Sequence, residues 1–175
     1  MVDACAAEPA EPHPVVDVSR ASVPPFQDFL EANRATVYRF LRVAVGPDAA
    51  DDAFQETFLA ALRAYPRLRN GERLDRWVLR IASRKAIDHH RAGSRRALPV
   101  AEVPDRASAA EVVPDPGDPL GAAVASLPPR QRVAVVHRHV LDRPYAEIAE
   151  LMGSSEDAAR ANVSAGIKKL REVIA

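Results

Sequence analysis

Between Arg63 and Arg96 the sequence sets eleven basic side chains (Arg63, Arg67, Arg69, Arg73, Arg76, Arg80, Arg84, Lys85, Arg91, Arg95 and Arg96) against three acidic ones, a local charge of +8. Such a run neutralises phosphates, and each phosphate contact releases counterions. Immediately upstream, Gly46 to Leu62 carries only Asp48, Asp51, Asp52 and Glu56. Carboxylates with an amide at helical spacing suit a basic partner helix through charge-assisted hydrogen bonds. Taken alone, the same face is that of a solvated helix with acids near its favourable N-terminal end. Catalytic chemistry finds no comparable set. His137 and His139 stand two apart, as a helix would point them to different faces, and His89–His90 has the same defect. There is no glycine-rich phosphate loop and no nucleophile–base pair, so no enzyme, metal or cofactor is expected.

Of the 175 residues 47% are hydrophobic and 27% charged, with 5% aromatic and a formal net charge of +0. Ala, Leu, Val and Ile dominate the apolar set, which favours helical bundles over sandwiches of strands. Cys5 is the single cysteine, excluding an internal disulfide and a cysteine-based zinc cage. No apolar run approaches the roughly 18 residues needed to cross a bilayer. The acidic, proline-containing start "MVDACAAEPAEPHPVVDVSR" is unlike a signal peptide, so a cytoplasmic location without membrane insertion is expected.

Residues 1–25 are Pro/Ala-rich, without periodicity, and expected to be disordered. In "FQDFLEANRATVYRFLRVAV", Phe26, Phe29, Leu30, Val37, Phe40 and Leu41 recur at three- and four-residue intervals, predicting a helix. "GPD" ends it, with Asp48 placed to cap the next. In that second helix Phe54, Phe58, Ala61, Leu62 and Tyr65 make an apolar stripe, while Asp48, Asp52, Gln55, Glu56 and Leu59 fall opposite. "PRLRNGERL" reads as a loop. "DRWVLRIASRKAIDHHR" reads as a third helix with Leu74, Trp77, Val78 and Ile81 inward, which makes Trp77 core rather than a stacking platform.

From Ala97 to Leu120 five acids oppose only Arg106, a local charge of −4, and prolines abound. That composition reads as a flexible linker over 97–118. "SLPPRQRVAVVHRHVL" restarts helical signals with prolines at a helix start. "RPYAEIAELMG" and "SSEDAARANVSAGIKKLREVI" follow as a short helix, a glycine turn and a longer helix, the pattern of a helix-turn-helix. Its expected core is Ala146, Ile148, Ala149, Leu151, Ala159, Val163, Ile167 and Leu170.

This order, with "DDAFQETFLAAL", "WVLRIASRKAIDHHR" and "LPPRQRVAVVHRHVLDRPYAEIAELMG", resembles the bacterial extracytoplasmic-function (group IV) RNA polymerase sigma factors. The resemblance covers roughly 26–96 and 119–175. It implies an all-α protein of two small helical domains, one over 26–96 and one over 119–175, joined by the linker. The implied function is an alternative sigma factor that binds core RNA polymerase, recognises the −35 and −10 promoter elements and helps melt the latter. Implied partners are the clamp helices and flap of core RNA polymerase, promoter DNA and an anti-sigma factor masking both domains. With the chain ending after the helix-turn-helix, control is expected from a separate protein, from synthesis or from degradation.

Carried over residue by residue, the resemblance places polymerase binding on Asp52, Gln55, Glu56 and Leu59. It places −10 binding on Arg73, Arg76, Arg80, Ser83, Arg84, His89, Arg91, Arg95 and Arg96. The family stretch reads Ile-Ala-Arg-Asn where this chain has Ile-Ala-Ser83-Arg84, so the asparagine that helps hold a flipped base is replaced. Binding at −35 falls to Arg143, Ser155, Ala158, Arg160, Ala161, Asn162, Lys168 and Lys169, with Ser155 to Val163 entering the major groove. Arg160 could pair with guanine and Asn162 with adenine. Asn162, Ser164 and Ala165 replace basic positions of the family, which predicts weak −35 contacts or recognition by shape. Two rivals remain at this level. One is a helix-turn-helix DNA-binding regulator that dimerises through its N-terminal bundle. The other is a sigma-like polymerase-binding protein with degenerate DNA recognition.

Overall fold

The computed structural model describes residues 23–96 and 119–174, with side chains to Arg91 in the first stretch. The described residues are helices and their connections, without a strand, as the all-α expectation requires. The expected tail lies outside them up to residue 22, and the expected linker over 97–118 lies outside them entirely.

Helix α1 (Phe26–Val45) turns its periodic stripe inward, burying Phe29, Val37, Phe40, Leu41, Ala44 and Val45. Gly46, at φ 91°, ends it and begins α2 (Pro47–Ala64). That positive φ is cheap only for glycine, and Pro47 then presets the first helical turn. Asp48 therefore lies inside the first turn and makes no cap, contrary to the expectation. On α2 the buried residues are Ala50, Ala53, Thr57, Phe58 and Ala61; three alanines let α1 come close. Leu62, expected in the stripe, is 47% exposed, because the contact with α1 follows Ala50–Ala53–Thr57–Ala61 rather than the wider stripe.

A 3₁₀ turn (Tyr65–Arg67) leads to α3 (Leu74–Arg96). Trp77 is half-buried among rings, its centroid 5.7 Å from Phe29 and 6.1 Å from Tyr65, so it is core as expected. Phe26 meets Tyr65 edge-on at 5.0 Å, and Tyr65 Oη donates to Pro24 O at 2.8 Å, fastening the chain ahead of α1. Of the expected inward set on α3, Val78 is fully buried and Leu74, Trp77 and Ile81 pack partly buried against the core, while Leu79, Ala82 and Ala86 complete the buried face.

The second stretch opens with α4 (Pro119–Ala125), which no apolar period announces. Then come α5 (Pro129–His139), α6 (Tyr145–Met152) and α7 (Glu156–Ile174). Gly153 at φ 61° closes α6 in the left-handed conformation, and Ser155 Oγ accepts the Ala158 N–H at 3.2 Å to cap α7. Gly166 lets α7 lie close on α5: a Cβ there would stand 2.6 Å from Val135 Cγ2. Ala146, expected in the core, is exposed, and Glu147 beside it is 4% exposed. Ile148, Ala149 and Leu151 are buried as expected, and the buried face of α6 extends to Glu147 because the helix meets α3 as well as α7.

Both stretches share one apolar cluster. Val37, Phe40, Val78 and Ala86 pack with Val133, Val136, Ile148 and Leu151. Helices α5 and α6 lie against α3, and α5 also against α1.

Candidate nucleic-acid interface and acidic docking face

Asp52, Gln55, Glu56 and Leu59 are all solvent-exposed on one side of α2, away from α1. Leu59 is 51% exposed and Leu62 47%, so the acidic face carries an apolar centre. Lys85 Nζ on α3 bonds Glu56 Oε2 at 2.9 Å, joining this face to the basic helix. At that exposure the pair contributes little, on the order of 0–1 kcal/mol, and is readily exchanged.

On α3 the expected basic set divides. Arg80, Arg84, His89 and Arg91 are exposed, as is Arg73, whose φ of 54° marks the turn into the helix. Arg95 and Arg96 belong to the helix, but their side chains lie outside the described residues. Arg76 is turned onto α6, at 2.9 Å from Glu147 and 3.6 Å from Glu150. Ser83, expected at the DNA surface, is fully buried. Its hydroxyl donates to Leu79 O at 2.7 Å and faces His137 Nε2 at 2.8 Å. A hydroxyl has one proton, so Leu79 O, the Ser83 hydroxyl and His137 Nε2 are all partnered when the imidazole carries its hydrogen on Nε2 and donates to Ser83, while Nδ1 is buried without a hydrogen-bond partner. The physical reason for the correction is that α5 covers this face of α3.

Around that contact stand residues the sequence reading did not assign. The His137 ring stacks on Phe40 at 4.5 Å with an interplanar angle of 19°. Burial, with the nearby Arg143 charge second, pushes the His137 pKa down to about 3, so the ring is neutral at ordinary pH. Arg132 on α5 is 6% exposed and donates to Ala44 O at 3.3 Å, to Leu127 O at 3.1 Å and to Ala125 O. It thus caps the C-terminal carbonyls of α1 and α4, where a cation is favoured. Burial lowers its pKa to about 10, which leaves it charged. His90 Nε2 also lies 2.8 Å from Ala44 O, and burial first, then the Arg132 and His89 charges, depresses its pKa. The available signal was the α5 spacing Val133–Val136–His137, too short to distinguish from the core of the helix-turn-helix itself.

The −35 set divides too. Arg143 bonds Glu147 at 2.7 Å and Asp75 at 3.4 Å. Ser155 caps α7, and Asn162 Nδ2 donates to Ala158 O at 2.7 Å, so each side chain is held to the helix by one hydrogen bond. Ala158 is half-buried and Ala161 exposed. Arg160 lies over the Tyr145 ring, 4.7 Å from its centroid, and bonds Glu156 at 2.8 Å on an exposed face. Lys168 and Lys169 are exposed; with His139, Arg160 and Arg171 the former lines an open groove beside Tyr145. Among the described residues no group of His, Cys, Asp or Glu could hold a metal, and no helix is long and apolar enough to cross a membrane.

The family profile described as Sigma-70 region 2 matches residues 29–96, and that described as Sigma-70, region 4 matches 118–170. RNA polymerase sigma factor CarQ of Myxococcus xanthus is 35% identical over 155 residues, 85% of this chain and 88% of its own. ECF RNA polymerase sigma factor SigD of Mycobacterium tuberculosis is 31% identical over 161 residues, 85% of this chain and 76% of its own. Among solved structures, the sigma factor RpoE, in the complex with the anti-sigma factor NepR from Bartonella quintana, has the same fold. Its TM-score is 0.65 at 19% identity, over 85% of this chain and 96% of that one. CnrH, solved with the cytosolic domain of CnrY, follows at TM-score 0.61 and 20% identity, over 85% and 86%.

Proposed function

From the premise that this chain belongs to the extracytoplasmic-function sigma factors of bacterial RNA polymerase, we propose how its surfaces divide the work of promoter-specific initiation. A sigma factor makes no covalent change; the catalyst is its partner, and this chain supplies affinity for core enzyme and for promoter DNA. The α2 face of Asp52, Gln55, Glu56 and Leu59 docks on the clamp helices of core polymerase. Its exposed carboxylates, one to two turns ahead of exposed Leu59 and Leu62, combine steering of a basic partner with an apolar anchor. Arg80, Arg84, His89 and Arg91 of α3 hold the −10 region by neutralising phosphates and presenting planar groups to unstacked bases. The C-terminal helices lie at the flap and −35 element, with Arg160 the base-reading side chain. Since Ser155 and Asn162 are bonded to α7 itself, −35 recognition rests on few base edges and on DNA shape. Work in the cytoplasm and masking by an anti-sigma factor belong to the same reading.

The observation that carries it is the opposition of two exposed faces on adjacent helices, acidic on α2 and basic on α3. The test is in vitro transcription from a genomic DNA library with purified core polymerase and this chain. Discrete transcripts that depend on the chain are expected. Failure to associate with core polymerase would sink the reading.

A further inference from the structure

Arg160, the side chain of α7 assigned to a base edge, is held from two directions. Its guanidinium carbon stands 4.7 Å from the centroid of the Tyr145 ring. Its Nη2 donates to Glu156 Oε1, one turn earlier on α7, at 2.8 Å. The ring is itself fixed, because Tyr145 is the first residue of α6 and packs half-buried against the core. A second guanidinium, that of Arg138 on α5, stands 5.4 Å from the same centroid and is tied to Asp142 Oδ1 and Arg143 O. A long side chain that is loose in the free protein is ordered only when it meets its base, and that cost comes directly off the discrimination. A guanidinium already laid on a ring has lost much of that freedom beforehand. The carboxylate then biases the choice of target. Glu156 repels a backbone phosphate, whereas the edge of guanine carries no net charge and offers two acceptors, O6 and N7. Glu156 takes one donor of the guanidinium, and the Arg160 side chain stays 58% exposed, so a forked pair of donors is left to present.

We propose that Tyr145 is a positioning residue for promoter reading: with Glu156 it holds the Arg160 guanidinium in one orientation, so that α7 selects for a single guanine. Tyr145 acts through Arg160 and needs no contact of its own with DNA. Glu156 thereby acquires a use on a helix where an acid otherwise weakens the approach to phosphate. At this exposure each of the two contacts is worth only about a few-fold, and the pair together about tenfold. The proposal rests on the assignment of α7 to the −35 element.

The test assembles the full chain with core polymerase and captures a pool of DNA duplexes randomised over one turn of the double helix, sequenced before and after capture. The parent should enrich guanine by roughly tenfold or more at one position, and Arg160→Ala should abolish that enrichment. Tyr145→Leu should lower it about fivefold. Tyr145→Phe, which keeps the face of the ring, should restore it. Adding Tyr145→Leu to Arg160→Ala should change nothing further, because the ring acts only through the arginine. Glu156→Gln should raise capture of all duplexes yet reduce the preference for guanine, and it decides the matter if Tyr145→Leu loses helical circular dichroism. A folded Tyr145→Leu with the parent's preference would overturn the proposal. So would an equal loss of base preference when Tyr145→Leu is added to Arg160→Ala, or a parent without an Arg160-dependent guanine. Failure to assemble with core polymerase counts against the sigma-factor reading instead; the same capture run with the chain alone then decides the proposal by the same outcomes.

Discussion

Ser83 on α3 and His137 on α5, fifty-four residues apart in sequence, meet through a 2.8 Å hydrogen bond with neither side chain exposed to solvent. The bond joins the two helical halves at the point where Phe40 stacks on the imidazole. It turns a position expected to face DNA into part of an internal seam.

Ser83→Ala removes the only acceptor for His137 Nε2–H shown in the structure and leaves a buried donor unsatisfied. A loss of about 1–3 kcal/mol is expected, read as a lower denaturation midpoint in urea. An unchanged midpoint would mean the hydrogen bond contributes nothing to the packed form.

Acid should weaken the same seam, and the sign follows from burial. His137 has a pKa near 3 when packed against an ordinary value near 6.5, so its packed form is the neutral one. Stability from this group is complete above pH 6.5 and is lost as pH falls from there towards 3, because only the unpacked chain takes up the proton. His90, also depressed by burial, works in the same direction. Each histidine contributes a slope of up to about 1.4 kcal/mol per pH unit. Arg143 opposes protonation of His137 further. Denaturant midpoints between pH 7 and 5 should fall for the parent and fall less for His137→Phe; identical slopes would refute the assignment.

Asp52→Arg combined with Glu56→Arg reverses the docking face of α2 without touching its buried side. Helical content should stay constant while pull-down of core polymerase is lost. Retained pull-down would place the docking surface elsewhere.

Arg160→Ala should weaken binding to a duplex carrying a −35 element more than capture of a pre-opened −10 bubble by the assembled holoenzyme. If Arg160 also neutralises a phosphate, the salt slope of duplex binding falls by roughly 0.9, whereas loss of a base contact alone leaves it unchanged. Equal losses on both templates would show that α7 does not read the upstream element.

The periodic stripe of α1 was legible because Phe29, Val37, Phe40 and Leu41 answer to one neighbouring surface, and local spacing suffices for that. The exposed side of α2 was legible for the complementary reason: Asp52, Gln55 and Glu56 stay exposed to solvent, with only the Lys85 side chain reaching Glu56. Helix α4 escaped because seven residues, three of them Ala, are too short a run to show a period. Leu62 and Ala146 were misplaced by one position around their helices. A stripe of apolar residues is broader than the contact it makes, and α6 answers to two partners.

Charge segregation, the longer helices and family membership were thus determined by the order of residues alone, since each is a property of near neighbours or of a linear pattern. Burial of Ser83, His137, Arg132 and Glu147 was decided by the tertiary structure. Polar side chains carry no sequence signal for burial. Whether they face water or a partner depends on which distant helix arrives with the matching donor, acceptor or charge.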